Sequence, residues 1–209
     1  MSDKPTPSGR GKLSRRGFLK GSGLATAGVV AAQTGLLANA AADAPDTAGA
    51  EATAVTLRVN GRAERVLARA DETLVDTLRD RLELTGTKLV CGRGACSACT
   101  VMIDDVPVCS CLTLTHEVGD AEVRTIEGLA EDTADGLVLS PVQEAFVEED
   151  ASMCGFCTPG MVMSCTALLE RNPNPSLTEV KEAVRGNLCR CGTYPHVFKA
   201  ALSAAKKMG

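Results

Sequence analysis

Three cysteines stand close together in Cys91-Gly92-Arg93-Gly94-Ala95-Cys96-Ser97-Ala98-Cys99, a C-x4-C-x2-C run, and Cys111 follows. Thiolate sulfur is a soft ligand suited to iron, and this spacing wraps a [2Fe–2S] cluster, two sulfurs to each iron. Gly92 and Gly94 are expected at positive φ, where the backbone can curl close to inorganic sulfide. Amide N–H groups of such a loop are expected to donate to the sulfurs, which stabilises an added electron. A second set lies downstream: Cys154 and Cys157 in C-x2-C, Cys189 and Cys191 in C-x-C. Two sets of four thiolates imply two clusters, and two clusters imply a path for electrons.

Other readings of these residues are weighed against that one. Zinc loops usually pair C-x2-C units, so the glycine-spaced first set is iron-like, whereas the second set taken alone also suits zinc. A Rieske centre needs two histidine ligands, and the chain has only His116 and His196, neither in a Cys-His pair. Cys109 and Cys165 are left over. Cys109 sits two residues before Cys111 and competes with it as a ligand, and Cys165 falls where a helix core is expected. Arg190, between two candidate ligands, either raises a reduction potential or is a surface arginine. Met153, Met161 and Met163 read as packing.

The chain has 209 residues, 44% of them hydrophobic but only 2% aromatic, with no Trp. Its apolar fraction leans on Ala, Val and Leu. A net charge of −4 gives nucleic-acid binding no electrostatic support. Ten cysteines in an exported chain would ordinarily suggest disulfides. The form of the leader argues otherwise. Ser14-Arg15-Arg16-Gly17-Phe18-Leu19-Lys20 resembles a twin-arginine signal, an apolar run of small residues extends to about Leu37, and Ala38-Asn39-Ala40 offers a cleavage site. That resemblance implies export of a folded, cofactor-loaded protein to the periplasm, without a structural disulfide and without a membrane span once residues 1–40 are removed.

The elements around the cysteines follow from pattern. Residues 41–53, rich in Ala, Asp, Pro and Gly, are expected to be a disordered linker. Residues 54–67 alternate as strand, Asn60-Gly61 turn and strand. Leu74, Val75, Leu78 and Leu82 recur at helical spacing over 72–82, with Asp71 or Thr73 as cap. A second hairpin is expected around Asp104-Asp105, and a short strand over 122–125. The acidic stretch 131–136 is taken as a boundary, with only helices beyond it. Ser140-Pro141-Val142-Gln143 and Ser176-Leu177-Thr178-Glu179 are capping boxes. Thr158-Pro159 and Tyr194-Pro195 open two more helices. The fold class expected is α+β: a β-grasp, ferredoxin-like [2Fe–2S] part over 54–130, then an all-α four-helix [2Fe–2S]-binding part over 131–209.

Three ordered motifs carry a family resemblance. They are Cys91 to Thr100 with Ser110-Cys111-Leu112, Cys154-Gly155-Phe156-Cys157-Thr158-Pro159-Gly160-Met161, and Gly186-Asn187-Leu188-Cys189-Arg190-Cys191-Gly192-Thr193-Tyr194. From Val55 to Lys206 the chain resembles the iron–sulfur subunit of the xanthine oxidase family of molybdenum hydroxylases, nearest in form to periplasmic aldehyde oxidoreductases. The resemblance selects Cys111 over Cys109 as the fourth ligand of the first set. It implies two [2Fe–2S] clusters here, a molybdenum cofactor on a large partner subunit, and FAD on a medium subunit or a cytochrome as acceptor. Electrons would pass from the set Cys154, Cys157, Cys189 and Cys191 to the set Cys91, Cys96, Cys99 and Cys111. Catalytic residues and the substrate pocket would lie on the partner. Two departures stand out: Ser97 replaces a usual Gly, and Met153 replaces a Gln that contacts the pterin. An N-heterocycle dehydrogenase is the nearest alternative, and a free-standing ferredoxin the alternative of a different class.

Overall fold

The computed structural model describes residues 51–209 except 135. The twin-arginine signal and most of the linker expected at 41–53 lie outside the described residues. Five strands form one mixed sheet: β1 (Thr53–Val59), β2 (Arg62–Ala68), β3 (Thr100–Ile103), β4 (Val106–Cys109) and β5 (Glu122–Arg124), in the order β2-β1-β5-β3-β4. β1 pairs antiparallel with β2 and parallel with β5. Both hairpin turns put two consecutive residues at positive φ, Asn60 (51°) with Gly61 (75°) and Asp104 (46°) with Asp105 (63°). Turns of that type match the twist of the strands they join.

Helix α1 (Leu74–Asp76) runs directly into a π turn, Thr77–Arg81. The helical spacing over 72–82 is therefore real, but only its first turn is α. Leu82 N–H reaches back five residues to Thr77 O at 3.1 Å, widening the turn before Glu83 breaks away at φ 57°. Thr73 stands at the N-cap but makes no capping bond from its side chain. Leu57, Val59, Leu74, Leu78, Val101 and Val123 bury themselves between this segment and the sheet. The start of α1 also pins the chain beyond Cys111, because Leu74 N–H donates to Thr113 O at 2.8 Å and Thr115 N–H donates to Glu72 O at 3.0 Å.

Glu72 sits at this junction. Arg81 donates to its carboxylate through Nε and Nη2, both at 3.1 Å, and Thr77 Oγ1 donates at 3.1 Å. The Arg81 bonds hold the Glu72 carboxyl below the usual carboxylate range, against the upward push of burial. Because the pKa is depressed in the folded state, its contribution is present above the unfolded value and lost as pH falls through the folded one. Melting temperature should fall in acid below the ordinary glutamate range, and Glu72→Gln should flatten that limb. An unchanged acid limb in the variant would remove Glu72 from this role.

Four helices follow: α2 (Pro141–Glu148), α3 (Thr158–Arg171), α4 (Leu177–Ala183) and α5 (Tyr194–Met208). Both capping boxes form, Ser140 with Gln143 and Ser176 with Glu179. The core of this half is Phe146, Met161, Cys165, Leu169, Val180, Val197 and the alanines of α5. Between the halves, the sequence shows no sign of a further hairpin, yet β6 (Glu131–Thr133) pairs antiparallel with β7 (Gly136–Val138). All three residues of β6, and Leu137 and Val138 of β7, are exposed, so no alternation of apolar and polar residues announces it. The two halves pack through Met102 of β3 against Met163 and Ala167 of α3. Arg124 adds a polar clamp, donating to both Glu170 oxygens at 2.6 and 2.7 Å and to Asp105 at 2.8 Å. Among the described residues no helix is long and apolar enough to cross a membrane.

Candidate iron–sulfur centres

The first set lies on the loop between the π turn and β3, closed by a 3-10 turn, Ser110–Leu112, that follows β4. Gly92 and Gly94 take φ of 61° and 68°, as the motif predicts, and Ser97 takes 50°. A residue with a Cβ is strained there, which accounts for glycine being usual at that position. The thiols lie in neighbouring pairs, Cys91 beside Cys96 and Cys99 beside Cys111. Gly94 N–H donates to Cys111 Sγ at 3.3 Å, which places Cys111 against the loop that carries Cys91 and Cys96. Backbone N–H groups of Arg93, Ala95 and Cys96 also point at Cys91. These donors hold its thiol at about 6, the Arg93 amide contributing most. Burial pushes Cys99 up to about 12 and raises Cys96 as well.

The second set sits at helix ends. Cys154 and Cys157 precede α3, with Cys157 as its N-cap, and Cys189 and Cys191 precede α5. Cys154 pairs with Cys191, Cys157 pairs with Cys189, and Cys189 lies within charge range of both Cys154 and Cys191. Burial and the Cys189 thiol raise Cys157 to about 12. Burial also pushes on Cys189, but the Thr193 hydroxyl and amide outweigh it and bring that thiol to about 7. The Phe156 amide lowers Cys154.

Both sets therefore fit a thiolate-bound metal cluster. Each brings its thiols together in pairs and aims amide donors at Cys91, Cys111 or Cys154, although among the described residues no three such groups close on a single metal-ion position. Thiols bind a cluster as thiolates, so loading would release protons and be favoured by higher pH.

The leftover cysteines behave differently. Cys165 is fully buried in α3, and burial alone lifts its thiol to about 12. Cys109 pairs with Thr100 across the β3–β4 ladder. Its Sγ lies 3.7 Å from Ser97 Oγ and 4.0 Å from Gly94 O, and its S–H points at a carbonyl where Cys111 accepts an amide. All ten cysteines are free thiols. Met161 and Met163 are buried packing residues, whereas Met153 is 76% exposed. Arg190 is exposed. His116 and His196 each meet a backbone carbonyl, Ala68 O at 3.1 Å and Glu149 O at 2.8 Å, and neither approaches the thiols.

Residues without sulfur join the two sets, and the cysteine pattern did not single them out. Leu188 N–H donates to Cys96 O at 3.1 Å. Asn187 Nδ2 donates to Ser97 O at 3.1 Å. A Cβ on Gly160, in the first turn of α3, would sit 2.2 Å from Ser97 O. The available signal was the polar Asn187 inside a ligand motif, a residue that must find partners if buried.

Comparison with known proteins follows the same division of the chain. Residues 57–130 match the family model described as a 2Fe-2S iron-sulfur cluster binding domain, and residues 125–202 match the one described as a [2Fe-2S] binding domain. The chain is 48% identical over 155 residues to the nicotine 6-hydroxylase small subunit of Paenarthrobacter nicotinovorans, covering 74% of this chain and 91% of that one. It is 36% identical over 209 positions to the aldehyde oxidoreductase iron-sulfur-binding subunit PaoA of Escherichia coli strain K12, covering 92% and 88%. Among solved structures it resembles quinoline 2-oxidoreductase from Pseudomonas putida 86, with a TM-score of 0.70 and 35% identity over 75% of this chain and 95% of that one.

Proposed function

The chain belongs to the small iron–sulfur subunits of the molybdenum hydroxylases, and we propose that it serves a periplasmic aldehyde oxidoreductase. In this reading it carries electrons one at a time from a large molybdenum-bearing subunit to FAD on a medium subunit or to a cytochrome. Cys91, Cys96, Cys99 and Cys111 hold one [2Fe–2S] cluster and Cys154, Cys157, Cys189 and Cys191 hold the other. Each cluster, when bound, supplies one-electron redox chemistry.

The chain's own residues do the rest. Amides of Gly94, Arg93 and Phe156 stabilise negative charge on the sulfurs. Burial of Cys96, Cys99 and Cys157 keeps water from one side of each site. Met153, Phe156 and Leu188, exposed at 76%, 59% and 57%, surround the second set with apolar surface. Unpartnered apolar residues beside exposed Cys154 and Cys191 suit a covering subunit, as do Leu89, Val90 and Leu112 beside the first set, and the family resemblance is what assigns the second set to the molybdenum side. Met153 offers that partner no amide donor where the family has Gln.

The observation that carries this reading is the placing of eight thiols as two pairs in each half of the molecule. Metal analysis and EPR of the natively purified complex test it. About four irons per chain, two distinct reduced [2Fe–2S] signals and molybdenum in the co-purified large chain are expected. Iron for a single cluster, or an isolated monomer, would overturn it.

The aldehyde assignment draws on the match to PaoA, which aligns with 92% of this chain and so reaches into the leader, whereas the nicotine hydroxylase subunit aligns with 74%. The higher identity to that subunit, 48% against 36%, favours a second reading in which the partner hydroxylates an N-heterocycle. Turnover of aldehydes against N-heterocycles by the purified complex separates the two. Periplasmic export draws on Ser14 to Lys20. Changing Arg15 and Arg16 to Lys should strand the loaded protein in the cytoplasm, and unimpaired export would remove that assignment.

A further inference from the structure

The two cysteine sets are joined by a buried polar network centred on Asn187, and we infer that Asn187 is a positioning residue that sets the coupling between the two centres. The inference rests on the reading that the eight cysteines hold two clusters.

Asn187 is 2% exposed, and its four polar groups are all engaged. Its Nδ2 donates to Ser97 O at 3.1 Å, and its Oδ1 accepts from Ser164 Oγ at 3.0 Å. Its backbone N–H donates to Val184 O at 2.9 Å, and its carbonyl accepts from Tyr194 Oη at 3.0 Å. Tyr194 Oη in turn accepts from the N–H of Cys189, a ligand of the second set, at 2.9 Å. Asn187 thus ties three structures together, its side chain holding the loop of the first set and the middle of α3 and its backbone carbonyl holding Tyr194 beside the Cys189–Cys191 loop.

The point it grips is held from other sides too. Ser97 O also accepts from Thr100 N–H at 3.3 Å and Thr100 Oγ1 at 2.7 Å. Ser97 lies between ligands Cys96 and Cys99, so any shift of its carbonyl moves both sulfurs. Gly160 lets α3 close onto that carbonyl, and the Leu188–Cys96 bond runs beside it. A cavity-free contact held this way has discrete arrangements and does not deform smoothly. With clusters bound to both sets, one electron would pass between them with no proton moved and no bond broken. The hydrogen-bonded route between the two ligand loops runs through Asn187 and Leu188.

Asn187→Asp tests this in the whole complex. The variant keeps an oxygen for Ser164 but turns an acceptor toward Ser97 O, so the grip on the first loop is lost while the helical half stays tied. Iron content and the EPR of the fully reduced protein are measured together. Expected are full iron loading, two reduced signals, and a magnetic splitting between the centres that differs from the parent's. Full loading with the parental splitting intact would overturn the inference. Should that variant fail to load, Asn187→Ala removes the same grip on Ser97 O without burying a charge. Altered splitting in Asn187→Ala supports the inference, and parental splitting overturns it. A parent protein that holds iron for only one centre counts against the two-cluster reading, which separates that failure from this one.

Discussion

Gly160→Ala should destabilise the loaded protein by about 2–3 kcal/mol, at the upper end of what overpacking costs. The added Cβ would lie 2.2 Å from Ser97 O and 3.2 Å from Ala98 Cα. Both are backbone atoms and cannot swing away. Ser97 O is fixed by three donors, and its residue is already at φ 50°. Relief requires α3 to withdraw or the first loop to open between Cys96 and Cys99. For a chain of this size the loss corresponds to a melting temperature lower by roughly 4–12 °C, and the first set should lose iron before the second. Two other glycines serve as controls. A Cβ on Gly186 would meet only Ser97 Oγ, at 3.1 Å, a hydroxyl that can rotate. Gly155 has open space around it, so Gly155→Ala brings only the strain of φ 82°, about 1–2 kcal/mol. A Gly160→Ala protein that melts with the parent would show that the two halves are not closely seated at this point.

Cys111→Ser should remove one cluster entirely, dropping iron from about four to about two atoms per chain, while Cys109→Ser leaves all of it. The two sulfurs are two residues apart but differently placed. Cys111 Sγ pairs with the Cys99 thiol and accepts the Gly94 amide at 3.3 Å. Cys109 Sγ has only long contacts, 3.7 Å to the Ser97 hydroxyl and 4.0 Å to a carbonyl. A metal ligand is held by amide donors to its thiolate, and Cys109 meets only the Ser97 hydroxyl and a carbonyl. Cluster binding is also folding energy for the loop that wraps it. Cys111→Ser should therefore lower the melting temperature of the sheet half, whereas Cys109→Ser should not. Loss of iron on Cys109→Ser, with retention on Cys111→Ser, would exchange their roles.

Much of this molecule is written locally. Cys91-x4-Cys96-x2-Cys99 and the two later motifs specify ligand loops because a cluster loop needs its sulfurs at fixed spacing along a single stretch of chain. Asn60-Gly61 and Asp104-Asp105 specify hairpins because both residues of each turn take positive φ. Ser140–Gln143 and Ser176–Glu179 start helices because the bonds they make span only three residues. Short-range causes can be read from short-range patterns.

The features that escaped reading are long-range or have no apolar pattern to betray them. The β6–β7 hairpin is almost wholly exposed, so nothing in its sequence alternates. The π turn at Thr77–Arg81 has the same apolar spacing as an α-helix and differs only in which carbonyl Leu82 finds. Sequence by itself determined which cysteines are candidates to hold iron and which half of the chain each set belongs to. Tertiary structure alone decided that Asn187 meets Ser97 from 90 residues away, that Gly160 lies against the Ser97 carbonyl, and that the two ligand loops share a hydrogen bond. Those contacts come from how α3 seats on β3 through Met102, Met163 and Ala167, and the geometry of that seating is a property of the packed whole.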